Sequence, residues 1–330
     1  MINIFYKFNY SGSGGGGNQF LLLLKEGLKN NNLYTENPYK SKFLLININP
    51  DNLGISRLIY LLSILILNPK CKLFLRVDGK ISLYRDKGFF YDFLIENIFF
   101  KISDGIIFQS KWSKNLYKKQ KNSTVILNQA NYNIYKEAHF SYNYPEVFKI
   151  IFTSWSPNKN KGIKFLNLLD KKLDFNTFQV TAIGNLNQKF KNIILKNKMT
   201  QKELNEELID SHLYLFLSVN ETCSNALLEA KATGIPCLTL NSGGNSEIIT
   251  DKSLLFDFEN ELINKIDLIR ANYKKYTSET INKTRKNDVW LNYYSFMQSS
   301  CKTNFLIKTF YLIIYIIFFP LIKASNFFKI

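Results

Sequence analysis

The sequence predicts an α/β protein built from two doubly wound, Rossmann-like units, with an apolar helix added at the C-terminus. Two observations carry this. Apolar runs of strand length alternate with helical patterns along nearly the whole chain. The series also occurs twice, on either side of a polar stretch around 136–148. Strand–helix–strand repeats of this kind imply parallel sheets covered by helices.

In the first series "INIFYKF" reads as a strand, followed by a glycine loop and the helical "NQFLLLLKEGLKN". "KFLLINI" is a strand, "ISRLIYLLSILIL" a helix buried on most sides, and "KCKLFLRV" a strand ending in "DGK". "FFYDFLIENIFFKI" and "KWSKNLYKK" read as helices, "DGIIFQS" and "STVILNQ" as strands. The second series runs from the strand "FKIIFTS" through the loop "SPNKNKG" to the helix "IKFLNLLDKKL" and the strand "FQVTAIG". "TQKELNEELIDS", "LYLFLS", "ETCSNALLEAKATG" and "IPCLTL" continue it as helix, strand, helix, strand, ending in the turn "NSGGNSEII". The expected domains are 1–145, 146–283, a helix over 284–300 crossing back to the first domain, and a tail over 301–330. In open α/β sheets ligands bind at the carboxyl ends of strands, and every loop of interest lies at such an end.

The 330 residues suffice for two domains with real cores, and 46% hydrophobic against 21% charged residues marks a globular chain. The net charge of +17 suits an anionic partner. Lysine and asparagine are abundant throughout, however, and neither an Arg-rich tract nor an RNA-binding aromatic motif appears, so nucleic acid is not the expected partner. Cys71, Cys223, Cys237 and Cys301 are widely spaced and read as reduced thiols rather than disulfide or metal ligands. The N-terminal stretch lacks the long apolar run of a signal peptide.

"FLIKTFYLIIYIIFFPLI" (305–322) is almost wholly apolar, interrupted by Lys308, Thr309 and Pro320. It has nearly the length of a membrane span and hardly any polar face, so it reads as a membrane-associated tail, spanning or monotopic. The other reading is a helix packed in a groove of the chain or of a partner.

The chemistry concentrates in "ETCSNALLE" (221–229). Thr222 or Ser224 can cap a helix running to about Thr233, before Gly234 and Pro236. The unpaired N–H groups of its first turn form an anion site. Glu221 precedes that turn and Glu229 lies along the helix. A diphosphate at the helix end with sugar hydroxyls on both sides would match: a nucleotide sugar, with Glu229 on the ribose and Glu221 on the hexose. Taken alone, two glutamates so spaced are also an ordinary loop and helix-face pair.

The wider run "LYLFLSVNETCSNALLEAKATGIPCLTLNSGGNSEII" resembles the nucleotide-sugar site of family 4 retaining glycosyltransferases of the GT-B fold. Those carry E-x7-E after a strand, an A-x-A-x-G-x-P run, and a G-G-x-x-E turn, here Gly243, Gly244 and Glu247. The resemblance covers the C-terminal half well and the N-terminal half loosely. It implies donor contacts from Gly14, Gly15, Gly16, Ser156, Lys161, Gly162, Glu221, Thr222, Ser224, Asn225, Glu229, Gly243 and Gly244. Lys161, in "SPNKNKG", stands where relatives meet the donor diphosphate. Where many relatives have an Arg about six residues earlier, this chain has Ser154, Trp155 and Ser156. The glycine loop "SGSGGGG" either borders the donor phosphates or is flexible linker. In "RVDGK" Asp78 either orients and helps deprotonate an acceptor hydroxyl or forms a turn. His139 and His212 read as structural, as do Trp290 and Tyr293 in the late helix. No Asp-x-Asp metal motif occurs, so neither a metal nor another cofactor is expected.

The resemblance implies a retaining transfer of a hexose from a nucleotide sugar to an acceptor hydroxyl, with Lys161 and the helix start at Ser224 stabilising the departing diphosphate, Glu221 positioning the sugar and Asp78 serving the acceptor. The tail and the basic balance suggest a lipid-linked glycan acceptor of surface polysaccharide or lipopolysaccharide synthesis, at the cytoplasmic side of the inner membrane. The alternatives are a GT-B epimerase, whose catalytic acidic and His residues are not evident, and a degenerate membrane-attached scaffold, which the missing Arg keeps open.

Overall fold

A computed structural model describes residues 1–10, 15–48, 54–85, 88–118, 120–137, 146–281 and 288–325. The chain divides into two units: Met1–Ser11, Gly17–Leu127 and Asp288–Ile330 form the first, and Gly12–Gly16 with Asn128–Asn287 the second.

The first unit holds a parallel sheet in the order β1 (Ile2–Phe5), β2 (Phe43–Ile48), β3 (Lys72–Val77), β4 (Gly105–Phe108) and β5 (Ser123–Val125). Between the strands run α1 (Gly16–Asn30), α2 (Ile55–Leu67), α3 (Ile81–Arg85), α4 (Phe89–Leu94), a π-helical turn (Ile95–Phe99), α5 (Phe100–Ile102) and α6 (Lys111–Asn115). Side-chain alternation assigns each strand residue to one of two apolar layers. Leu44, Ile46 and Ile48 pack with Leu58, Leu61, Ile64 and Leu65 of α2 on one face. Phe43 and Leu45 pack with Phe20, Leu21, Leu24 and Leu28 of α1 on the other. The expectation that α2 is buried on most sides is corrected: it covers only one face of the sheet, so Ile59, Tyr60, Ile66 and Leu67 remain exposed.

The second unit holds a parallel sheet in the order β11-β10-β9-β6-β7-β8, formed by β6 (Phe148–Ser154), β7 (Phe178–Gly184), β8 (Ile194–Lys196), β9 (Leu213–Phe216), β10 (Cys237–Leu240) and β11 (Leu255–Phe256). Its helices are α7 (Ile163–Lys172), α8 (Gln201–Ile209), α9 (Asn225–Ala232), the single turn α10 (Asn245–Ile248), α11 (Leu262–Ala271) and α12 (Tyr273–Ile281). A capping box between Thr200 and Glu203 starts α8. The strand order reverses between β6 and β9. That is a topological switch point, with its crevice at the carboxyl ends of both strands.

The chain then returns to the first unit. α13 (Val289–Ser299) buries Val289, Tyr293 and Met297 against α1 and the sheet, with Trp290 packed beside them. α14 (Phe305–Ser325) follows and buries Leu312 and Tyr315 in the layer of α2. Lys308 lies almost fully buried and pairs with the Asp104 carboxylate, which also accepts the Leu73 N–H at 2.5 Å and the Thr303 N–H. The interruption that Lys308 makes in the apolar run is therefore an anchor to the sheet. The opposite side of α14 leaves Leu306, Ile307, Phe310, Ile313 and Ile317 exposed. Among the described residues, no helix is long and apolar enough to cross a membrane.

Candidate functional site

Two loops of the second unit meet at the switch point. One follows β6 and contains Asn158–Gly162; the other follows β9 and contains Ser218–Ser224. The backbone joins them, because the Val219 N–H donates to the Asn160 carbonyl at 2.8 Å. Asn158 caps the short turn at Lys159–Lys161. Gly162 then takes φ 83°, and a Cβ there would lie 2.4 Å from the Leu217 carbonyl oxygen. Only glycine permits that approach, and it aims Lys161 at the second loop.

The Lys161 ammonium pairs with the Glu221 carboxylate, and both side chains keep only part of their surface in solvent. A third segment fixes Glu221 from the far side. The Gly244 N–H donates to the Glu221 carbonyl at 2.8 Å, and the Asn220 N–H donates to the Ser242 hydroxyl at 3.0 Å. Gly243 has φ 66°, and a Cβ on it would sit 2.3 Å from the Glu221 carbonyl oxygen. The Gly-Gly turn is thus a clamp on the Glu221 backbone. Asn245, fully buried, extends the clamp by donating to the Ser218 and Leu240 carbonyls.

Ser224 is the N-cap of α9 and accepts the Leu227 N–H at 3.3 Å. Thr222, Cys223 and Ser224 are buried just before it. Asn225 has its amide committed: it accepts from Asn128 Nδ2 at 2.8 Å and donates to the Gly16 carbonyl at 2.6 Å. Ser156 accepts the Asn158 N–H at 3.3 Å, so its hydroxyl shapes the β6 loop. Gly15 has open space around a would-be Cβ, and Gly14 and His139 lie outside the described residues.

Glu229, on α9, is partly exposed, yet the protein around it desolvates the carboxyl and pushes it up to about 7. The hydroxyl of buried Tyr135 lies close enough to offset part of that shift, although it falls outside normal hydrogen-bond geometry. Sequence reasoning missed Tyr135, Asn128 and Asn245, which meet the motif only through tertiary contacts.

The Lys161–Glu221 ion pair stands in the loops just before the positive end of the eight-residue helix α9, which carries Glu229 further along. That can take a phosphate group flanked by hydroxylated rings.

Residues 135–287 match the model of the glycosyl transferases group 1 family. The match covers the whole of this loop system. No curated protein sequence matches the chain. Solved structures do. A sucrose-phosphate synthase from Thermosynechococcus elongatus superposes with a TM-score of 0.62 at 12% identity, over 98% of this chain and 99% of that one. WaaG, a glycosyltransferase involved in lipopolysaccharide biosynthesis, gives 0.61 at 11% identity, over 91% and 100%. A glycosyltransferase from Rickettsia africae gives 0.57 at 14% identity, over 89% and 83%. At these identities the likeness is one of fold, and the fold is that of GT-B glycosyltransferases.

Asp78 belongs to the first unit, where the carboxyl ends of β2, β3 and β4 lie side by side. Its carboxylate accepts from Arg76 at 2.5 Å, from Asn47 at 2.9 Å and from Gln109. Arg76 is fully buried, also donates to Asn47 at 2.5 Å, and stacks over the Phe20 ring. These donors hold the Asp78 carboxylate in place. His212 is structural: its Nδ1 accepts the Lys149 N–H at 2.8 Å and its ring stacks on Phe148.

Proposed function

We propose that the protein is a retaining glycosyltransferase that moves a hexose from a nucleotide sugar to an acceptor hydroxyl of a membrane-linked glycan. The observation that carries this is the Lys161–Glu221 pair at the switch point, clamped by Gly243 and set before α9 inside the segment that matches the family. The donor diphosphate lies between Lys161 and the first turn of α9. Negative charge grows on it as the glycosidic bond breaks, and a fixed ammonium with fixed N–H groups stabilises that charge. Glu221 accepts hydroxyls of the hexose and Glu229 those of the ribose. Asp78 orients the acceptor hydroxyl. Donor entry shares or opens the Lys161–Glu221 pair, so the phosphate takes over part of the neutralising role of the carboxylate. The reading requires no metal or other cofactor.

The membrane-linked acceptor rests on a different observation. Leu306, Phe310 and Ile317 of α14 are each 60% exposed or more, with Ile59, Ile66 and Leu67 of the adjoining α2 also in solvent. Apolar surface of this extent suits an interfacial contact in which α14 lies on the bilayer rather than through it. The protein then works at the cytoplasmic side of the inner membrane, in surface polysaccharide or lipopolysaccharide synthesis.

The test is turnover of a nucleotide-sugar panel on glycolipid extracts, with the new linkage read by NMR. Transfer with the anomeric configuration of the donor supports the reading. Inversion removes the retaining assignment, and a folded protein without transfer or hydrolysis on any donor removes the enzyme.

A further inference from the structure

The first unit contains a pocket of about 330 Å³ that the reaction above does not use. It flanks β1, the edge strand of the sheet. Its volume lies in the range that takes a small organic ligand. The wall is built as follows. After β1 the chain turns, the Tyr6 N–H donating to the Ile4 carbonyl at 2.9 Å. Tyr6, Phe8 and Tyr10 then occupy alternate positions and line the pocket, with ring centroids 5.3 and 6.1 Å apart in succession. Buried Asn18 of α1 holds this segment in place: it accepts the Asn9 N–H at 2.9 Å and donates to the Asn9 carbonyl at 2.8 Å.

The charged groups are equally fixed. Lys25 is 8% exposed and donates to Tyr10 Oη at 3.1 Å. It pairs with Glu36 at 3.0 Å and lies 4.7 Å from the Phe8 ring centre. Arg57 of α2 stacks 5.0 Å from the Phe5 ring centre, and Tyr60 stands 5.7 Å from the same ring. Lys29 shares Glu36 with Lys25, and the lining itself carries two cations, Lys25 and Arg57, against the one carboxylate of Glu36, so the pocket is cationic. Aromatic faces with a few convergent polar groups suit a saccharide, whose C–H faces stack while its hydroxyls bond. A half-desolvated guanidinium beside those faces favours an anionic substituent.

We propose that this pocket is a subsite for one sugar residue bearing a carboxylate or a phosphate, stacked on the aromatic wall with its anion at Arg57 and a hydroxyl at Glu36. It rests on the glycosyltransferase reading only for the origin of that sugar, the acceptor glycan.

Saturation-transfer NMR on the full chain with glucuronic acid, glucose 6-phosphate and glucose tests this, beside Arg57→Met and Tyr60→Ala. At least one anionic sugar is expected to bind about tenfold or more tighter than glucose. Both substitutions should weaken it by at least that factor while thermal stabilisation by nucleotides stays unchanged. The better-bound anionic sugar identifies the anion as carboxylate or phosphate. Equal binding of glucose, binding that survives Arg57→Met, or no binding of either anionic sugar overturns the subsite. Nucleotide binding is read separately, so a failed donor site and a failed sugar subsite are distinguishable.

Discussion

The Lys161 ammonium and the Glu221 carboxylate, from loops that follow two adjacent strands, form an ion pair at the switch point of the second unit. Each neutralises the other in the absence of ligand. In the proposed function, Lys161→Ala therefore removes the fixed cation assigned to the leaving diphosphate. Loss of one such group costs on the order of 10²–10³ in turnover. The pair retains contact with solvent, so its contribution to folding is at most about 1 kcal/mol. Initial rates and a urea titration on the same preparation should show a large loss of kcat with a nearly unchanged unfolding midpoint.

Gly243→Ala probes the clamp. The substitution sets a Cβ against the Glu221 carbonyl oxygen at a φ of 66°. The strain costs of the order of 1–3 kcal/mol, and the loop relieves it only by displacing Glu221. Lower stability together with lost nucleotide-sugar binding is expected. Alanine at Gly15, where a Cβ meets open space, should leave stability unchanged.

Glu229 gives a pH signature. Burial raises its carboxyl from 4.5 to about 7 in the folded protein. Between those values the folded state binds more protons than the unfolded chain, so this group makes stability fall as pH rises through the window. Glu229→Gln removes that slope and should be the more stable protein at pH values above it. Nucleotide affinity should run the other way in the native protein, rising as Glu229 ionises and becomes a full acceptor for ribose hydroxyls. Urea midpoints and nucleotide titrations across the window check both signs.

Lys308→Met tests the anchor of α14. It leaves the buried Asp104 carboxylate without its cation, at a cost of about 3–5 kcal/mol. The double change Asp104→Asn with Lys308→Met should recover much of that loss, because no isolated charge remains. Equilibrium unfolding of the three variants measures the difference.

The exposed face of α14 predicts vesicle binding. Phe310→Glu with Ile317→Glu alters side chains that are 60% and 64% exposed, so folding should be unaffected. Co-sedimentation with anionic vesicles should weaken by about tenfold or more. Equal sedimentation would remove the membrane surface from the account.

Elements that bury an apolar run were legible in the sequence. Strands such as Phe43–Ile48 and Leu213–Phe216, and the cap and glycines of the 221–247 region, depend on local chemistry. The short strands Ile194–Lys196 and Leu255–Phe256 were not, because a few residues, exposed in the first case, carry no period. The first strand ends at Phe5 rather than continuing through the alternating pattern, since the turn at Tyr6 takes the chain off the sheet edge. Which residues of the apolar tail pack on the chain was not legible, because hydropathy does not distinguish the buried Leu312 and Tyr315 from the exposed Phe310 and Ile317. The buried partner of Lys308 lies more than 200 positions away. Tyr135 beside Glu229, and Asn47 and Gln109 beside Asp78, likewise stand far away in the sequence and leave no local trace.

In the proposed function the second unit binds a nucleotide sugar between Lys161 and the start of α9. Thermal unfolding of the full chain with UDP, GDP, ADP and their sugar forms, beside Lys161→Ala and Glu229→Ala, tests it most directly. A nucleotide at 100 times its dissociation constant adds about 2.7 kcal/mol to stability. A rise in Tm with one nucleotide family, lost or much reduced in both variants, is the expected result. No shift with any nucleotide from a folded protein, or a shift that both variants retain, would contradict it.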